Sequence, residues 1–214
     1  MFTTRNRGAA VAAALVVVSL TAGCIGGLNG GAVDADAVGD RVEQRYAALD
    51  GYSATVTRTV EVGDRTTVQR AQVAVDRGDA RRVTYRSGPR AGETAVGPAD
   101  AGPVFDAGVT GGQPATAAGY GALAEALVRT SDVSVERVTT YDGHRTAVVT
   151  FTPTANDSAR DVTRTVWVDL DRRVPLRVTT SWTTADGREV DVTVAYDDVT
   201  LFDSERAASA EVAA

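Results

Sequence analysis

Lysine is missing from this 214-residue chain: all 22 basic residues are arginine. Cysteine, histidine and methionine occur once each, and tryptophan twice. One thiol excludes an internal disulfide. The single histidine, His144, follows a hairpin Asp-Gly. No metal-ligand set or triad partners surround it in the sequence, so it reads as a solvated turn residue. Base is also short of acid, 22 against 28, for a net charge of −6. No basic stripe runs along any segment, which excludes nucleic acid as a partner. The glycine-rich segments neither follow a strand nor open a helix at the spacing a phosphate cradle needs. The acids are 20 Asp and 8 Glu. An Asp-rich, Lys-free chain suits very high salt, where repulsion is screened within about 3 Å at 1 M. A gene rich in G and C favours arginine over lysine as well.

What is present begins at the N-terminus. Arg5 and Arg7 precede an uncharged stretch, 8–22, rich in Ala, Val and Leu, and small residues lead into Cys24. This is the layout of a secretory signal peptide, with a thiol at the cut site. Gly23, Ala22 and Thr21 stand at −1, −2 and −3. The segment resembles the lipobox of bacterial and archaeal lipoproteins. The resemblance implies that residues 1–23 are removed and that Cys24 carries a lipid. The protein is then held at the cell membrane, facing the extracytoplasmic side. Each buried lipid methylene contributes roughly 0.8 kcal/mol, and stable anchoring takes about two chains. The alternatives are an uncleaved anchor, for which the stretch is short against the ~20 residues of a spanning helix, and a chance buried cysteine.

A Gly-rich tether, 24–33, lacks the apolar density to fold. Asp34 or Asp36 is placed to cap a helix carrying Val38, Val42, Tyr46 and Leu49 on one stripe, stopped by Asp50-Gly51. Strands follow. Tyr52, Ala54, Val56, Val60 and Val62 alternate with Ser, Thr and Glu, and Arg58 is the exception on the apolar side. Turns at Gly63-Asp64 and Arg77-Gly78-Asp79 make an antiparallel meander through residue 86. Residues 87–116 hold Gly and Pro repeatedly, with room for short strands near 93–96 and 104–106. A second helix is expected at 116–129, with Leu123 and Leu127 on its apolar side. The second half returns to strands: 133–141 with 144–152 through Asp142-Gly143, 161–170 with 174–184, and 188–202. Pro175 falls near a strand start, where proline is tolerated. The 205–214 tail is Ala-rich. The expected fold is α+β: a curved antiparallel sheet of about eight to ten strands wrapped over two amphipathic helices.

The order of elements carries a second resemblance. It rests on Val42-Glu43-Gln44-Arg45-Tyr46-Ala47-Ala48-Leu49-Asp50-Gly51-Tyr52-Ser53-Ala54, on Trp167-Val168-Asp169-Leu170-Asp171 with Val174-Pro175-Leu176-Arg177-Val178, and on Val194-Ala195-Tyr196-Asp197-Asp198-Val199. Over 34–203 the chain looks like the outer-membrane lipoprotein carrier (LolA-like) superfamily, in the lipidated version found in extreme halophiles. The resemblance implies an unclosed half-barrel over 34–204 that holds a lipid or lipoprotein acyl chain in an apolar hollow, without catalysis. The alternative is an envelope sensor or protein-interaction module. The family's aromatic-rich central strand pair is replaced here by 95–105. Candidate hollow-lining residues are Val38, Val42, Tyr46, Leu49, Tyr52, Val56, Arg58, Leu123, Leu127 and Trp182. No cofactor and no metal are implied, and oligomeric state is not legible.

Other features read plainly. Asp169/Asp171 and Asp197-Asp198 are solvated carboxylates near strand ends in an Asp-rich chain. Trp182 falls on the apolar side with Val178 and is expected in the core. Trp167 falls on the opposite side and is expected to cover an outer face or an interface. Asn156-Asp157-Ser158 is a glycosylation sequon, making Asn156 the candidate.

Overall fold

Asp34 stands just outside the first helix with extended backbone, and its carboxylate accepts from the Asp36 amide at 3.0 Å. That bond satisfies one of the amides a helix start leaves unpaired. Helix α1 (Ala35–Ala48) buries Val38, Gly39 and Val42. At its other end Arg77 donates to the carbonyls of Tyr46, Ala47 and Leu49 at 2.6, 3.1 and 3.2 Å. A cation there complements the negative end of the helix dipole. The same guanidinium lies 4.7 Å over the Tyr46 ring. Arg45 pairs with Asp203 at 2.8 Å, fastening the helix to the end of the last strand.

The computed structural model describes residues 33–101, 104–105, 133–151 and 162–203, all in the compact unit that starts at Val33. Among the described residues nine strands follow α1: β1 (Gly51–Val62), β2 (Arg65–Asp76), β3 (Ala80–Tyr85), β4 (Thr94–Pro98), β5 (Val133–Tyr141), β6 (His144–Phe151), β7 (Thr163–Asp169), β8 (Val174–Thr183) and β9 (Glu189–Phe202). They form one antiparallel sheet in the order β4-β3-β2-β1-β9-β8-β7-β6-β5, and it does not close. The last strand pairs with the first, so the two meanders meet along β1 and β9.

Alternation puts one side of every strand inward: Tyr52, Ala54 and Val56 on β1, Ala71, Val73 and Val75 on β2, Val166 and Val168 on β7, and Val194 and Tyr196 on β9 are all buried in one cluster with Val38 and Val42 of α1. The cluster runs from Val83 and Tyr85 on β3 to Val133 and Val135 on β5. Those strands stand seven positions apart, roughly 34 Å along a flat sheet at ~4.8 Å per strand. A 14-residue helix is only about 21 Å long. It nonetheless touches β5 and β8 and takes Arg77 from the end of β2. The sheet therefore bends round α1.

Three bulges keep the inner side apolar. At Asp198, with φ 52°, the β9 register shifts, and Val199 and Leu201 take over from Tyr196 as inward residues. Strands β5 and β8 shift register near Glu136 and Leu176. Pro175 sits beside the β8 bulge, where its missing N–H costs little. The strand expected at 93–96 is β4, whereas Val104 and Phe105 form a bend. Phe105 is buried edge-on against Tyr85, centroids 6.1 Å apart. The aromatic ring seeks the core, and β4 has already ended at Pro98. The second helix expected at 116–129, the tether and the tail lie outside the described residues.

Candidate functional site: the inner face of the sheet

Cross-strand partners share a face, so the register defines the rows of the inner side. One row reads Val166, Val178, Val194, Arg58, Gln69 from β7 to β2. The next reads Phe151, Arg164, Thr180, Val192, Val60, Thr67 from β6 to β2. Each row is mostly apolar and carries one half-buried arginine, with Gln69 at the end of the first and Thr180 and Thr67 in the second. Arg164 donates through Nε to the Thr180 hydroxyl at 3.4 Å, and Thr180 itself is fully buried. Burial pulls the Arg164 guanidinium below its ordinary pKa, because the charged form loses water. Burial also pushes the Tyr52 phenol up to about 12, helped by Tyr46, and moves buried Tyr196 upward too.

Arg58 lines a cleft of about 280 Å³ with Gln69, Tyr85, Ser87, Arg90 and Phe105. Arg90 lies 4.0 Å over the Tyr85 ring, donates to its hydroxyl at 2.6 Å and pairs with Glu93 at 2.8 Å. The acceptor role of the Tyr85 hydroxyl leaves its own proton to donate. Two further depressions, of about 380 and 350 Å³, share Ala74 and Arg82 on the outer side.

The sequence candidates distribute as follows. Val38, Val42, Tyr52 and Val56 are buried in the core cluster, with Tyr46 packed partly buried against it. Leu49 is buried at the helix end. Arg58 faces inward and is half-buried. Trp182 does not enter the core cluster. It is half-buried on the inner row of Val190, one residue before β8 ends at Thr183, so one flank stays open. Trp167 faces outward over buried Val148, with Arg177 4.9 Å above its ring and Tyr141 at 6.5 Å. Cys24, Leu123, Leu127 and Asn156 lie outside the described residues. Arg164 escaped the sequence reading, although a signal existed: it interrupts the series Val162, Val166, Val168 as Arg58 interrupts the series on β1.

Two expectations are corrected at the outer end of β6 and β7. Asp169 is fully buried rather than solvated, and His144 is part of its shell. One carboxylate oxygen accepts from the amides of Asp171 and Arg172 at 2.9 and 3.0 Å, and the other accepts from Arg172 Nε at 2.6 Å. His144 Nδ1 lies 3.2 Å from that second oxygen, and its Nε2 lies 3.2 Å from an Arg172 terminal nitrogen. Arginine can only donate, so Nε2 accepts and Nδ1 carries the proton toward Asp169. The imidazole lone pair is thus engaged. Burial pushes the Asp169 carboxyl up, and the bonds from Arg172 and Asp171 more than reverse it, leaving it below the usual carboxylate range. Turn propensity at Asp142-Gly143 located His144 but could not show that the β7–β8 turn folds over it. Among the described residues no group of three His, Cys, Asp or Glu is placed to hold a metal ion, and no helix is long and apolar enough to cross a membrane.

The geometry defines a single unclosed antiparallel sheet bent round a helix, with an apolar, arginine-bearing inner face. No protein-family model matches this chain, and no curated protein does. Similar solved structures include a LolA superfamily protein from Nitrosomonas europaea, at 14% identity and TM-score 0.34, covering 80% of this chain and 95% of that one. The Mycobacterium tuberculosis lipoprotein LppX aligns at 14% identity and TM-score 0.41, covering 77% and 95%. The Pseudomonas aeruginosa MucA/MucB complex aligns at 14% and 0.45, covering 79% of this chain and 57% of that one.

Proposed function

We propose that this protein is an extracytoplasmic, membrane-anchored lipoprotein of LolA-like type that holds an apolar ligand, a lipid or an acyl chain, against the inner face of its sheet and performs no catalysis. The observation that carries this reading is the inner face itself. It is apolar from β3 to β5, and among the described residues a single helix packs on it through Val38, Val42 and Tyr46. A cleft opens on the same face beside Arg58 and Phe105. The Arg5-to-Cys24 segment supports the anchor, since a lipidated Cys24 would keep the inner face near its ligand's source. Permanent tethering favours local holding over shuttling. The residues that would line the hollow are Val38, Val42, Tyr46, Tyr52, Val56 and Arg58, with Trp182 at its margin.

The test is native mass spectrometry and lipid extraction of the full chain purified from membranes. A bound apolar molecule in stoichiometric amount is expected. Its absence, together with failure of apolar fluorescent probes to bind, refutes the reading. Cys24→Ser is expected to release the chain from the membrane fraction, and unchanged retention refutes the anchor separately.

A further inference from the structure

Among the described residues the acids of this sheet keep to one face, while arginines occur on both. Eight acids lie on its strands: Glu61, Asp76, Glu136, Asp169, Glu189, Asp191, Asp197 and Asp198. Their register partners and hydrogen bonds place them on the outer side. Glu61 pairs with Asp191, which accepts from Ser181. Glu136 accepts from Thr150, and Asp197 and Asp198 accept from Thr57 and Thr55. The inner positions of the strands carry Arg58, Arg65, Arg81, Arg145 and Arg164, and among the described residues they carry no acid. In a chain of net charge −6, the face that packs the core has the opposite sign.

We propose that the molecule held on the inner face is an amphiphile with an anionic head, a carboxylate or a phosphate, and that Arg164 supplies the counter-charge. This rests on the apolar-ligand reading above and adds the head. Among the described residues no carboxylate pairs with Arg164, whose one side-chain bond goes to a neutral hydroxyl. A half-buried charge is normally paired. Hydrocarbon laid over Arg164 would strip its remaining water and oppose binding, whereas an oxyanion on the same chain replaces that water with a charge-assisted bond. The depressed pKa of Arg164 is the same desolvation already at work.

The experiment compares oleate, 1-oleoyl lysophosphatidate and oleyl alcohol, one chain with three heads, binding to the purified full chain by native mass spectrometry and titration. At least one anionic probe is expected to bind about tenfold or more tighter than the alcohol, the worth of a hydrogen bond to a charged group. The better of the two anions identifies the head as carboxylate or phosphate. Arg164→Gln is expected to reduce the preference toward unity while the alcohol still binds, and Arg164→Lys to retain most of it. The lysine variant and the surviving alcohol affinity guard against a loss that is merely unfolding. Equal binding of all three probes, or a preference unchanged in Arg164→Gln, overturns the anionic head and leaves the apolar hollow standing. If no probe binds, the hollow itself falls, and the head with it.

Discussion

Asp169→Asn is the sharpest probe of how this sheet is held at its outer end. Asparagine keeps one oxygen for the amides of Asp171 and Arg172, which the carboxylate now receives at 2.9 and 3.0 Å. Its NH₂ then faces Arg172 Nε–H and His144 Nδ1–H, donors against a donor. The charge-assisted bond from Arg172 is lost, and the NH₂ set against the Arg172 and His144 donors adds the cost of leaving them unmatched, together about 3–5 kcal/mol. Arg172 and His144 are 30% and 37% exposed, so solvent screening removes part of that. A net cost of about 3 kcal/mol remains, at the low end of the roughly 3–5 kcal/mol for breaking a buried pair. At about 2–4 °C per kcal/mol for a chain of this size, the melting temperature falls by about 6–12 °C. Thermal and urea melts followed by circular dichroism measure it. The pH dependence has a fixed sign. The folded pKa lies below the unfolded value of about 3.9, so the stabilisation is complete above that value. It is lost as pH falls through the folded value. The gap between wild type and variant should therefore close below about pH 4. A melting shift under about 2 °C, or a gap that stays constant from pH 7 to pH 3, refutes the reasoning.

Two further substitutions follow from the same structure. Val178→Ala empties a fully buried site at the centre of an inner row and should cost about 2–3 kcal/mol in urea melts, two methylenes plus a cavity; a cost under about 1 kcal/mol would mean the row is not packed. Asp197→Asn relieves a carboxyl whose pKa is raised by burial and by Asp142 and Asp198. Because that group costs stability as pH rises from its unfolded to its folded value, and fully above that, the variant should be more stable at pH 7 and 0.1 M salt, by only a few tenths of a kcal/mol once solvent screening of so exposed a group is counted, a gain that shrinks at 1 M, where the screening length is about 3 Å; an undiminished gain rules charge out as the cause.

Most of the ladder was legible because the sequence states alternation openly. Tyr52, Ala54 and Val56 alternate with Ser53, Thr55 and Thr57, and the Asp142-Gly143 and Gly63-Asp64 turns fall where positive φ is needed. Alternation is also what misleads at a bulge. Strict period two leaves Val199 and Leu201 on the wrong side of β9, and only the left-handed residue Asp198 brings them in. An Asp-Asp pair in an acidic chain gives no warning of that. The burial of Asp169 was hidden for a related reason. The residues that enclose it, His144 and Arg172, are remote in sequence from each other and meet only through the β6–β7 pairing of Thr146 with Asp169. Trp182 shows the opposite error. Its side of the strand was legible, but burial near a strand end depends on what lies beyond the sheet, and no periodicity encodes that.

The arginines of the inner face do not all need the same explanation. Exclusion of charge from a packed face cannot account for the pattern, because among the described residues five arginines occupy inner positions and no acid does. Arginine can lay its stem on apolar surface and lift its head to water. That suffices for Arg65 and Arg145, which are exposed at hairpin ends. Arg81 reaches the Ala101 carbonyl at 2.9 Å, a backbone partner that fixes a turn. Arg164 fits neither account. It pairs across to Thr180 and Phe151, both buried, and the next strand adds buried Val192. A stem there could have been Leu or Met at less cost in desolvation, with the Thr180 hydroxyl left to its own backbone. A cation kept at such a position, facing inward and bonded to a hydroxyl at 3.4 Å, is the arrangement that an incoming oxyanion completes.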